Sequence, residues 1–112
     1  MSDLGMILGL GFASTGLLLT GLSVPLILKR VSMNPLYGIR IAKAYESESN
    51  WYAINSYGGR VLALVGAAVF LLGLCLFAWP PTSNLVAILV SFAPVLLVLL
   101  GVVPILRFAR RL

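Results

Sequence analysis

Covalent chemistry in this chain would have to come from a short roster: the acids Asp3, Glu46 and Glu48, the thiol Cys75, and the amines Lys29 and Lys43. There is no histidine, so no serine has an imidazole to activate it. One cysteine and three acids, two of them in Glu46-Ser47-Glu48, do not make a metal centre. The run Gly9-Leu-Gly-Phe-Ala-Ser-Thr-Gly16 imitates a nucleotide loop, but it lies in an apolar stretch with no strand before it. Cys75 sits in the middle of another apolar stretch and reads as a small packing side chain. No catalytic residue, metal ligand or cofactor is expected, and the chain does not read as an enzyme. Proton or ion carriers place an ionisable group inside the membrane, and none is present here. A pore would need several copies with backbone groups lining the path.

The elements that position these residues follow from composition. Of 112 residues, 61% are hydrophobic and 10% charged, too few for a water-soluble shell. No Asp, Glu, Lys or Arg occurs over 4–28, 61–79 or 80–106. A helix of about 20 residues crosses a hydrocarbon core of roughly 30 Å, and a helix satisfies the backbone groups that lipid cannot. The expected fold is therefore all-α, a single membrane domain over 1–112. Its parts are a first span at about 4–28, a structured segment 29–60, a second span at about 61–79, a third at about 85–106, and a tail 107–112. Trp79-Pro-Pro-Thr-Ser-Asn84 separates the last two spans, with Ser83 or Asn84 as cap of the third. The third span should bend at Pro94, Gly101 and Pro104. A β-barrel would need polar–apolar alternation, which is absent. The first block has no preceding cation and is too long for a cleaved leader, so it reads as a retained helix.

All eight cations lie in 29–60 or 107–112: Lys29, Arg30, Arg40, Lys43, Arg60, Arg107, Arg110 and Arg111. The positive-inside rule then puts both segments in the cytoplasm and the N-terminus and residues 80–84 outside. The net charge of +5 sits beside helix ends, where anionic headgroups explain it better than nucleic acid does.

A 32-residue connection is long enough to be structured or functional. Asn34-Pro35 is a start signal, and Gly38 restricts the element begun there to a turn or a short interrupted helix. Ser47-Glu48 starts a second helix. Continued into the second span, that helix would reach about 48 Å, so roughly a dozen residues must project, tilt or bend, with Gly58-Gly59 the place to bend. All four tyrosines (Tyr37, Tyr45, Tyr52, Tyr57) and Trp51 lie here, as in an interfacial cuff.

Trp51, Asn55, Gly59, Leu62, Gly66 and Gly73 share one helical face, with glycine at every seventh position from 59. Gly5, Gly9, Gly16 and Ser23 form a comparable stripe in the first span. Such seams admit a close helix, which is either each other or a partner from outside the chain.

The run N-P-x-Y-G-I-R (34–40), the Ser/Glu step at 47–49, W-Y-x-I-N (51–55) and the pair Gly59-Arg60 resemble the SdpI/YfhL family of small bacterial membrane proteins, named for immunity to a secreted peptide toxin. The resemblance covers about 25–80; this chain departs from the family in having Ile41-Ala42 after the arginine. It marks Asn34, Tyr37, Gly38, Arg40, Trp51, Asn55 and Gly59 as motif residues, for binding or only for folding the loop. Arg40 would pair with Glu46, Glu48 or a lipid phosphate, and Trp51 and Asn55 would brace the turn at Gly38. The function implied is a non-enzymatic immunity factor that binds a membrane-active peptide. The alternative is an accessory or assembly subunit of a larger membrane complex. Expected partners are membrane lipids and a protein or peptide in the membrane, and an oligomer or hetero-complex is compatible with either.

Overall fold

Serine and proline set several of the helix boundaries. In the computed structural model, which describes residues 2–112, five helices and no strand form among the described residues: α1 (Ser2–Ile27), α2 (Ala42–Tyr45), α3 (Glu48–Ala78), α4 (Asn84–Ser91) and α5 (Ala93–Arg110). Ser47 caps α3, its hydroxyl accepting from the Asn50 amide at 3.0 Å, and Ser83 caps α4 by accepting from Val86 at 3.2 Å. Three stretches, Asp3–Ile27, Glu48–Ala78 and Asn84–Arg110, are long and apolar enough to cross a membrane. The chain is an all-α, multi-pass membrane protein.

The third span breaks at Phe92, between α4 and α5, with Pro94 in the first turn of α5 where its missing N–H is not needed. Pro104 lies inside α5 without ending it, and Gly101 serves contact: a methyl there would meet Val65 and Val61 of α3 at 3.1 and 3.2 Å. α3 likewise runs without a break through Gly58 and Gly59. Both glycines are buried. Side chains of Ile39 and Ile105 occupy the space over Gly58, and the Ser23 carbonyl and Ile27 that over Gly59. The glycines are used for close approach, so α3 runs on unbroken, and its first dozen residues, about 18 Å, project past the end of α1 at Ile27.

α3 is the spine. α1 runs antiparallel along it, from Gly5 beside Pro80 to Ile27 beside Gly59, and α5 packs antiparallel on another side, with Gly101 near Val65 and Phe108 on Tyr57. α2 packs on the projecting start of α3. The molecule measures 50 × 23 × 19 Å, a rod set by the length of α3.

At the end of α1, Arg30 N–H reaches the Pro25 carbonyl at 3.0 Å and Lys29 N–H the Leu26 carbonyl at 3.2 Å, closing the helix as a Schellman motif. Lys29 takes the left-handed position usually filled by glycine, with φ +59°.

Candidate functional site

The projecting turns of α3 need cover, and the polar loop 28–47 supplies it. Asn34 does not cap a helix. Its Oδ1 accepts from the amides of Leu36 (2.9 Å) and Tyr37 (2.7 Å), and its Nδ2 donates to the Ser32 and Tyr37 carbonyls, which ties residues 32–37 into a turn. A helix cannot continue from it because Gly38 has φ +120°. Trp51, fully buried, donates from its indole nitrogen to the Val31 carbonyl at 2.8 Å. Asn55, 2% exposed, accepts from Ile39 N–H at 2.6 Å and donates to the carbonyls of Trp51 at 3.0 Å and Ile39 at 3.4 Å. These two side chains of α3 therefore hold the loop on both sides of Gly38. Tyr45 stacks obliquely on Trp51 with centroids 5.4 Å apart and donates its hydroxyl to the Asn34 carbonyl, and the Tyr37 hydroxyl donates to the Leu22 carbonyl of α1. Below the loop, Ala44, Trp51, Ile54, Ile105 and Ala109 form a closed apolar core.

At Gly38 there is no room for a side chain: a Cβ would lie 2.7 Å from Asn55 Oδ1 and 3.1 Å from the Trp51 ring. Gly38→Ala is therefore expected to cost about 2 kcal/mol through backbone strain and displacement of Asn55, read as a fall in the unfolding midpoint in detergent.

Of the seven motif residues, six are engaged inside the protein: Asn34, Tyr37, Trp51 and Asn55 in the hydrogen bonds above, and Gly38 and Gly59 beneath neighbouring atoms. Arg40 faces outward. Its Nη1 donates to the Pro35 carbonyl at 2.8 Å, and it pairs with neither Glu46 nor Glu48, two of the three partners expected from sequence. Glu46 instead meets Lys43 at 3.4 Å, one helical turn away, where the geometry is shorter and local. Beside Arg40 the loop presents Leu36, 85% exposed.

The helix-packing glycines come together along α1 and α3. A carbon on Gly16 would strike the Gly66 carbonyl and the Phe70 backbone, one on Gly66 the Thr20 side chain and the Gly16 carbonyl, one on Gly73 the Ala13 nitrogen and Gly9 carbonyl, one on Gly9 the Gly73 carbonyl, and one on Gly5 the Pro80 ring. Thr20 Oγ1 donates across this seam to the Ala63 carbonyl at 3.4 Å, and Ser56 Oγ to the Ile27 carbonyl at 3.0 Å. The two stripes are filled by each other, within one chain.

Sequence reasoning singles out neither Ile39, which covers Gly58, nor Phe108, whose ring stacks on Tyr57 at 4.3 Å and 5°. Both are contacts between segments distant in the chain, which no local spacing reports. Among the described residues, no group of three or more His, Cys, Asp or Glu gathers to hold a metal ion.

A family model described as the SdpI/YfhL protein family matches residues 30–106, which hold nearly all of the loop that covers the start of α3, here the cap, together with α2, α3, α4 and most of α5. No curated protein and no solved structure matches the chain.

Proposed function

The chain belongs to the SdpI/YfhL family, and from that membership and the geometry of the cap we propose that it is a non-enzymatic immunity or resistance factor that binds a membrane-active peptide. The observation that carries this reading is the division of labour within the motif. Five residues are spent on fixing the loop and Gly59 on seating the end of α1, and the seventh, Arg40, is left exposed beside Leu36 on a backbone that is already ordered. A preset cation with an apolar neighbour binds without a further ordering cost. It suits a peptide that brings an apolar segment and a carboxylate to the membrane boundary. The cation-rich end carrying this face lies in the cytoplasm of a bacterial cell, with the N-terminus and the Pro80-Pro81 turn outside.

The accessory-subunit reading needs glycine stripes free to receive a neighbour. Both stripes are occupied within the chain, so that reading loses the glycine seams as its support and keeps only the small size of the chain and its lack of catalytic groups.

The test is expression of the chain in a sensitive bacterium and challenge with a panel of secreted membrane-active peptides. Protection against at least one is expected, and Arg40→Gln should weaken it about tenfold in peptide dose while the protein remains in the membrane at equal amount. Absence of protection against every peptide sinks the reading.

A further inference from the structure

We propose that a cleft between the end of α1, the first turns of α3 and the end of α5 binds the phosphate of an anionic phospholipid. The cleft encloses about 240 Å³ and is lined by Lys29, Ala53, Ser56, Tyr57, Arg60 and Phe108. It is separate from the face around Arg40 and does not depend on what that face binds.

Depth is the first argument. Lys29 is the first charged residue after the uncharged block 4–28, Arg60 the last before the block 61–79, and Phe108 adjoins Arg107, the first after 80–106. The cleft therefore sits where all three spans leave the hydrocarbon, at the level of lipid headgroups.

Charge is the second. The ion pair among the described residues is Lys43–Glu46, so Lys29 and Arg60 face the cleft without an acid within 4 Å. The stacked pair Tyr57–Phe108 gives the cleft an apolar wall with a polar tip, which suits the glycerol and upper acyl chain of a lipid and has no use for a free phosphate ion.

Backbone is the third. Lys29 occupies the left-handed C′ position of the α1 terminus, a conformation that strains a lysine and that glycine takes without strain. Two residues earlier, the Ile27 carbonyl is tied to buried Ser56 of α3 at 3.0 Å, so the strained turn is held in place against the cleft. A strained residue kept at a site points to a role for its side chain.

The experiment uses the full chain purified in neutral detergent, with lipid retention read by native mass spectrometry. Phosphatidylglycerol is expected to be retained in preference to phosphatidylethanolamine. Lys29→Gln and Arg60→Gln should each weaken phosphatidylglycerol binding about fivefold, and Arg30→Gln, a neighbouring exposed cation outside the cleft, less than about twofold. Lys29→Gly should weaken lipid binding as Lys29→Gln does while raising the unfolding midpoint in lipid-free detergent, a combination that a purely structural lysine does not give. Three results overturn the proposal: equal loss in Arg30→Gln, which means diffuse attraction only; unchanged binding in Lys29→Gln and Arg60→Gln; or displacement of the lipid by inorganic phosphate at equal concentration, which makes the cleft a free-anion site.

Discussion

Gly16→Ala is expected to destabilise the protein by about 2–3 kcal/mol, whereas the same change at Gly11 leaves it unaltered or stabilises it by up to about 1 kcal/mol. The contrast lies in the atoms each new methyl meets. At Gly16 it is driven onto the Gly66 carbonyl and the Phe70 amide, with the Phe70 Cα at 2.8 Å, and backbone cannot move aside without separating α1 from α3 along their length. At Gly11 nothing lies within 4 Å, so only the gain in helix propensity remains. Detergent unfolding of both variants checks this directly; equal midpoints would mean that α1 does not pack on α3 through its glycines. Packing of this kind matters more in lipid than in water, because no hydrophobic gain accompanies helix association there and close approach is what remains.

Asn55→Leu is the second large effect. The change keeps the branching of the side chain but leaves Ile39 N–H, now bonded at 2.6 Å, and the Ile39 carbonyl, at 3.4 Å, without their partners beside a side chain that is 2% exposed. Each orphaned group costs about 1–3 kcal/mol, and both belong to one network, so roughly 3 kcal/mol is expected in total. The loss is local. Amides of 31–45 should exchange with solvent about a hundredfold faster while those in the α1–α3 seam hold their protection. Exchange that rises equally everywhere would show that the cap is not a separable unit.

The membrane-spanning part is readable from sequence because lipid imposes a coarse code. Uncharged blocks mark the three spans, Ser47 and Ser83 announce their helices, and glycines at every seventh position mark the faces that meet. The cap is readable only as a place. Asn34-Pro35 has the same chemistry at a helix start and in a turn; Gly38 narrows the choice to a turn or a short interrupted helix, and its φ of +120° with the Asn34 side-chain bonds makes it a turn. Gly58-Gly59 has the composition of a bend, yet the side chains of Ile39, Ile105 and Ile27 converge there from distant segments and keep the helix running. Arg40 pairs with neither of its two candidate acids and bonds instead to the Pro35 carbonyl five residues back, because the turn built by Asn34 brings that oxygen within 2.8 Å. In each case a tertiary contact outweighs local preference.

Binding through the exposed Leu36–Arg40 face of the cap is tested most directly by cross-linking in living cells. A photoreactive phenylalanine analogue replaces Leu36 in one strain and Leu64, a 73% exposed residue of α3, in another, and both are challenged with a peptide against which the unaltered chain protects. An adduct between chain and peptide at position 36 and none at 64 is the predicted result. An adduct at 64 alone, or full protection with no adduct at 36, would contradict it.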